Sequence, residues 1–168
     1  TPGAVLIIDK ENPLSLLQQR FNKMGIENNP PICFLQNPDS FDIFKDEDLN
    51  WLIGYVKETN IKLLILDSFA HIHKGDENDS MAIVATFERL KQIKTAIVFI
   101  HHHRKTIKFF TGTVLETIRG SSDIGAEVES HLALDVVSTG IKVTQSKNRR
   151  AQLQKPFIVV PLITETAI

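Results

Sequence analysis

One cysteine, Cys33, stands among 168 residues, so no internal disulfide can form and the chain reads as a reduced, intracellular protein. Neither sign of charge prevails. With 19 basic and 20 acidic side chains the formal net charge is -1, which removes any global electrostatic reason to hold nucleic acid and leaves that task to local patches. No apolar run approaches the roughly 20 residues that span a bilayer, and the start lacks the charged-then-apolar form of a secretory signal. A soluble, cytoplasmic protein without membrane contact is the expectation. Internal repeats and low-complexity linkers are absent too. What is there is 42% hydrophobic residues, enough to bury one sizeable core, and nothing in the length asks for a second domain. Thr1 in place of Met, with a strand pattern beginning almost at once, predicts that these residues start inside a longer polypeptide.

The stretch VLIIDKENP, residues 5–13, joins four apolar residues to Asp9, Lys10 and Glu11 before Pro13 opens a helical pattern. Asn12 and Pro13 read as a cap and a first-turn proline, and Leu14, Leu17, Phe21 and Met24 recur at the spacing of an amphipathic helix. A short strand is predicted at Ile32 to Leu35 after the Pro30-Pro31 break. An acidic loop, Asp39 to Asp48, precedes a second helix marked by Leu49, Leu52, Ile53 and Val56. Lys62 to Leu66 and Thr95 to Ile100 are continuous apolar runs, joined by a loop and a helix carrying Ile83, Val84, Phe87 and Leu90, with Asp79 or Ser80 as its cap. Runs without alternation, separated by helices, indicate a parallel sheet covered on both faces. From His131 onward the texture changes to strands close together, at Leu132 to Val137, Ile141 to Gln145 and Phe157 to Leu162, the first two joined as an antiparallel hairpin through Ser138-Thr139-Gly140.

In an open parallel sheet, ligands bind at the carboxyl ends of the strands, where loops and helix N-termini converge. Here three strands end in IIDKEN, LLILDS and VFIHHH, which puts Glu11, Asp67 and His101 along one edge. Any one of these acids also has an ordinary use as a cap or loop charge. Together they outline a site. Leu63 to Leu66 followed by Asp67 is the Walker B pattern of nucleotide hydrolases, in which a rigid strand end holds a carboxylate beside Mg²⁺ and its waters.

LLILDSFA resembles the Walker B segment of RecA-type ATPases, where a serine commonly follows the aspartate, and VLIIDKENP resembles their earlier strand ending in a catalytic glutamate. AIVFIHHHRK is similar to the strand whose terminal histidine senses the γ-phosphate in RepA-type hexameric helicases. TIRGSSDIGAEVESHLAL resembles the stretch before the next strand in RepA-type and DnaB-type helicases, and VTQSKNRRAQLQKPF resembles their paired basic motif. The likeness runs through nearly the whole chain, in order. It implies a RecA-like α/β fold, mostly parallel with an antiparallel hairpin toward the C-terminus, over residues 1–168 as one ATPase core. It further implies a motor domain of a ring-shaped hexameric DNA helicase that uses ATP and Mg²⁺. In that likeness Glu11 polarises the attacking water, Asp67 holds Mg²⁺ through water with Ser68 beside it at the nucleotide, and His101 senses the γ-phosphate. Lys147 and Arg149 then reach the neighbouring subunit's nucleotide as finger residues.

A P-loop NTPase needs G-x-x-x-x-G-K-[ST]. The 168 residues do not contain it, and the resemblance places it on a strand upstream of Thr1. Arg104, Lys105, Lys108 and Arg119 surround Phe109 and Phe110, so phosphates can meet cations and bases can meet rings, as in sequence-tolerant single-strand binding. The same segment can equally be a surface loop with its rings turned inward, and KNRR can be a solvated turn. Asp123, Glu127 and Glu129 read either as helix-face charges or as groups that position Arg119. Two other readings of the whole stay open. One is a RecA-fold DNA-binding or regulatory module that does not hydrolyse ATP. The other is a metal-dependent hydrolase in which His71, His73, His101, His102 and His103 converge with Asp67 on a transition metal.

Overall fold

Apolar runs without alternation become parallel strands, because both faces of such a run need cover and only a sheet layered with helices supplies it. The computed structural model describes residues 3–26, 31–35, 38–73, 76, 78–102 and 122–161. They divide into two units, one ending at His101 and the other beginning at His102.

In the first unit, strands β1 (Ala4–Asp9), β2 (Ile32–Phe34), β3 (Ile61–Asp67) and β4 (Ala96–Ile100) form one sheet in the order β2-β1-β3-β4, and all three pairings are parallel. Helices α1 (Leu14–Lys23), α2 (Asp46–Glu58) and α3 (Ser80–Leu90) lie between them in sequence, as the periodicity predicts. Asp79 caps α3, its carboxylate accepting the Met81 N–H at 2.9 Å. The α1 cap differs from expectation. Pro13 itself occupies the cap position without a side-chain bond, and Asn12 turns back to Asp9, whose ionised oxygens are stronger acceptors than the helix end is a donor.

Leu6 pairs with Leu64 and Ile8 with Leu66, and none of the four is more than 1% exposed. This face is the core. Leu49, Leu52 and Val56 of α2 and Ile83, Phe87 and Leu90 of α3 are buried, with α2 packing on β3 and Phe87 meeting Phe69 and Phe99. On the opposite face Phe21 of α1 meets Phe34 of β2 edge-on at 5.4 Å. That cover stops short of β4, where Val98 and Ile100 are 50% and 45% exposed. The expectation of two covered faces is therefore met only in part among the described residues, because the ten-residue α1 reaches the β2 side.

The second unit contains α4 (Ser122–Glu127) and strands β5 (Ser130–Val137), β6 (Gly140–Asn148) and β7 (Phe157–Val159), an antiparallel sheet in the order β5-β6-β7. The hairpin at 138–140 is as expected, while β6 runs three residues beyond Gln145, to Asn148. Gly140 is needed at its turn. Its φ is +141°, and a Cβ there would stand 2.4 Å from the Val159 carbonyl oxygen of β7. Leu132, Leu134 and Val136 alternate along β5 and are all more than half exposed.

Fully buried between two strands and beneath α2 and α3, Leu64 has no room to collapse around a shorter side chain. Leu64→Ala is expected to cost about 2–5 kcal/mol in urea unfolding; a loss below about 1 kcal/mol would place the core elsewhere.

Candidate functional site at the carboxyl edge of the sheet

In register, Asp9 of β1 stands beside Asp67 of β3, and Asp67 beside Ile100 of β4. The strands run in one direction, so their carboxyl ends share one rim. Glu11, Asp67, Ser68 and His101 leave from that rim. Two contacts fix the glutamate's loop there. The Lys10 backbone N–H donates to the Asp67 carbonyl at 2.7 Å, extending the ladder one step past β1. Asp9, 6% exposed, accepts the Glu11 and Asn12 N–H groups, both at 2.8 Å, and the Asn12 side-chain amide at 3.0 Å. This turn projects Glu11 outward, and its side chain remains 30% exposed.

Ser68 is fully buried immediately after Asp67, across a cis peptide bond. Its hydroxyl lies 3.1 Å from His71 Nδ1, and the same nitrogen lies 3.5 Å from Glu11 Oε1. Phe69 follows as a hub. Its ring stacks on His73 at 5.4 Å, lies 4.7 Å from Phe99 and meets His101 edge-on at 5.6 Å, which seats the His101 ring at the end of β4 with Nδ1 buried. His73 is buried, and its Nδ1 donates to the Phe69 carbonyl at 3.2 Å.

These contacts separate the histidines. Among the described residues no group of three His, Cys, Asp or Glu side chains is placed to hold a metal, so the convergence required by a transition-metal hydrolase is not formed there; His103 lies outside those residues. A lone carboxylate at a strand end does fit Mg²⁺, which keeps most of its waters and takes one or two carboxylates together with phosphate oxygens. Beside Glu11 a pocket of about 540 Å³ opens over β1 and β2. Asp9, Glu11 and Asp39 line it against Lys10, whose ammonium is drawn to the Phe41 carbonyl at 2.7 Å. Three carboxylates make it a poor seat for phosphate, which directs attention to the Asp67 and His101 side.

In the second unit Lys147 and Arg149 stand at the end of β6. The Lys147 ammonium donates to the Gly125 and Ala126 carbonyls at 2.7 and 2.8 Å, where α4 ends and its carbonyls lack helical partners. Burial, with the nearby Arg149 charge, lowers the Lys147 pKa from its ordinary value. Arg149 donates to the Ala126 carbonyl and to Glu129 Oε1, while Arg150 takes Glu129 Oε2 at 3.0 Å. The pair is therefore held by its own helix end rather than forming a solvated turn. Arg104, Lys105, Lys108 and Arg119, with Phe109 and Phe110, lie outside the described residues.

Sequence reasoning misses three positions. Asp9 reads as part of a charged run, though the Asp-x-x-Asn spacing of residues 9–12 is an Asx-turn signal. His71 suggests only a metal ligand. Glu129 suggests a partner for Arg119, and no local pattern assigns it to Arg149 and Arg150 instead.

Adjacent parallel strands with acids and a histidine at one rim, flanked by helices and accompanied by an antiparallel hairpin sheet, define the RecA-like α/β fold of helicase ATPase domains. The chain belongs to the AAA domain family, which matches residues 1–107 of its 168. In structure it is similar to the ATPase domain of a DnaB-type helicase, with a TM-score of 0.68 and 10% sequence identity over 90% of this chain and 69% of that one. No curated protein matches the sequence significantly. Among the described residues no helix is long and apolar enough to cross a membrane.

The Glu129 carboxyl is held below its ordinary pKa, first by the Arg150 hydrogen bond and then by Arg149. A carboxyl whose pKa is depressed on folding contributes stability above its unfolded pKa and loses it as pH falls through the folded value. The stability difference between the protein and Glu129→Gln should therefore be constant at neutral pH and vanish below about pH 4; thermal unfolding curves that stay apart in acid would exclude this linkage.

Proposed function

We propose that the chain is the ATP-driven motor domain of a ring-shaped, hexameric replicative DNA helicase that moves on single-stranded DNA in the cytoplasm. In this reading residues 1–168 form one RecA-like ATPase core. The observation that carries it is the common rim: Asp9, Asp67 and Ile100 in register across β1, β3 and β4, with Glu11 and His101 just beyond. Family membership and the fold shared with the DnaB-type ATPase domain support the same class.

Each residue has a role that follows from its place. Glu11, raised on the Asp9 turn, orients and polarises the water that attacks the γ-phosphate. Asp67, with Ser68 behind it, is the carboxylate that holds Mg²⁺ through water. The chemistry Mg²⁺ supplies when bound is neutralisation of phosphate charge. His101, seated against Phe69, senses the γ-phosphate from the neighbouring strand end. Lys147 and Arg149 act in trans on the nucleotide of the next subunit, which requires a head-to-tail interface and hence a closed ring. Arg104, Lys105, Lys108 and Arg119 pair with the phosphates of the strand in the channel.

Glu11→Gln removes the base but keeps size and hydrogen bonding. It should lower ATP turnover by about 100-fold or more while nucleotide binding stays within about twofold. Equal turnover would remove Glu11 from this role, and DNA binding without any turnover in the unsubstituted protein would favour the non-hydrolysing module. Replacing Arg104, Lys105 and Lys108 together by Ala should weaken binding to an oligothymidine strand and flatten the dependence of affinity on salt, because fewer phosphates are then neutralised and fewer counterions released; an unchanged slope would take these three residues off the DNA.

A further inference from the structure

Glu11 and Ser68 meet at one atom. His71 Nδ1 is 3.5 Å from Glu11 Oε1 and 3.1 Å from Ser68 Oγ, and Ser68 is fully buried directly after Asp67. We infer that His71 is the positioning residue for Glu11, holding its carboxylate through Nδ1 and tying that orientation to the end of β3 through Ser68. The inference rests on the reading of Glu11 as the base that polarises water; His71 itself touches no reacting group.

The chemistry of one nitrogen gives the device two states. With a proton on Nδ1 the ring donates toward the Glu11 carboxylate and the Ser68 oxygen. With the proton on Nε2 alone, Nδ1 accepts the Ser68 hydroxyl hydrogen and turns a lone pair toward Glu11, which then has no donor from the ring. Ser68 therefore influences which tautomer faces Glu11, and any movement of the Asp67–Ser68 strand end reaches the carboxylate through the ring. The Lys10 to Asp67 backbone bond keeps the two loops in register while this happens.

Asparagine and glutamine separate this role from mere packing. The side-chain N–H of Asn stands about where imidazole Nδ1 stands, and that of Gln about where Nε2 stands. In protein labelled with carboxyl-¹³C glutamate, with Glu11→Gln used to assign the signal, the Glu11 resonance should move in His71→Ala and His71→Gln and stay in His71→Asn. ATP turnover should follow the same order, kcat falling about tenfold or more in the first two with KM for ATP within about twofold, because a misaligned base loses rate rather than substrate affinity. A Glu11 resonance indifferent to all three substitutions overturns the inference, whatever the turnover. So does full turnover in His71→Ala when Glu11→Gln is inactive, an outcome that leaves the reading of Glu11 standing. An active Glu11→Gln enzyme takes down that reading, and this inference with it.

Discussion

Parallel pairing of β1, β3 and β4 is the constraint on which the rest of the first unit depends. Each strand contributes little chemistry of its own, yet their common direction and register bring Asp9, Asp67 and the residues after Ile100 to one rim. A slip of one residue would move the acids to the opposite face, since side chains alternate along a strand. The core resists such a slip. Leu6 and Ile8 are locked beside Leu64 and Leu66, with each buried side chain contributing about 1.5–3 kcal/mol of apolar burial. Polar geometry at the rim is thus fixed by apolar packing a few residues away.

Past the strand ends, local hydrogen bonding takes over from packing. Asp9 commits its carboxylate to two backbone N–H groups and the Asn12 amide, so it shapes the loop and is not itself available for chemistry, whereas Glu11 is lifted toward solvent. On β3 the next residues do the converse. Ser68 and Phe69 turn inward, and the Phe69 ring gathers Phe87, Phe99, His73 and His101 around it. The aromatic cluster is what keeps the exit of β4 close-packed on one side while its other face stays half open.

The second unit uses a different device. A six-residue helix has few internal bonds, and its last carbonyls would be left without partners; Lys147 and Arg149 supply them. Individually, exposed ion pairs such as Arg149 with Glu129 contribute about 0–1 kcal/mol. Their effect here is geometric, since the Arg149 backbone N–H also bonds the Glu129 carbonyl at 2.9 Å and fixes where β6 ends. Any excursion of these two cations toward another anion must give up carbonyl bonds that the α4 end depends on.

Much of this is legible in residue order. The runs at Val5–Ile8 and Lys62–Leu66, the spacing of Leu49, Leu52 and Val56, and the turn at Gly140 all specify their elements through local sterics and periodicity, which act within a few residues. So does the appearance of an acid or histidine at three strand ends. What the chain order could not carry were contacts between positions far apart in sequence: Ser68 and His71 with Glu11, Glu129 with Arg149 and Arg150, and the partial cover over β4. Even Asn12, beside the helix it is expected to cap, answers instead to Asp9, because a buried carboxylate outcompetes a helix end for its amide. Sequence by itself determined the elements, their α/β alternation and which side chains emerge at strand ends, since these follow from propensity and pattern; only the tertiary structure decided which of those side chains share an atom, because that depends on strand order and register, which couple residues about 60 positions apart through a core neither of them belongs to.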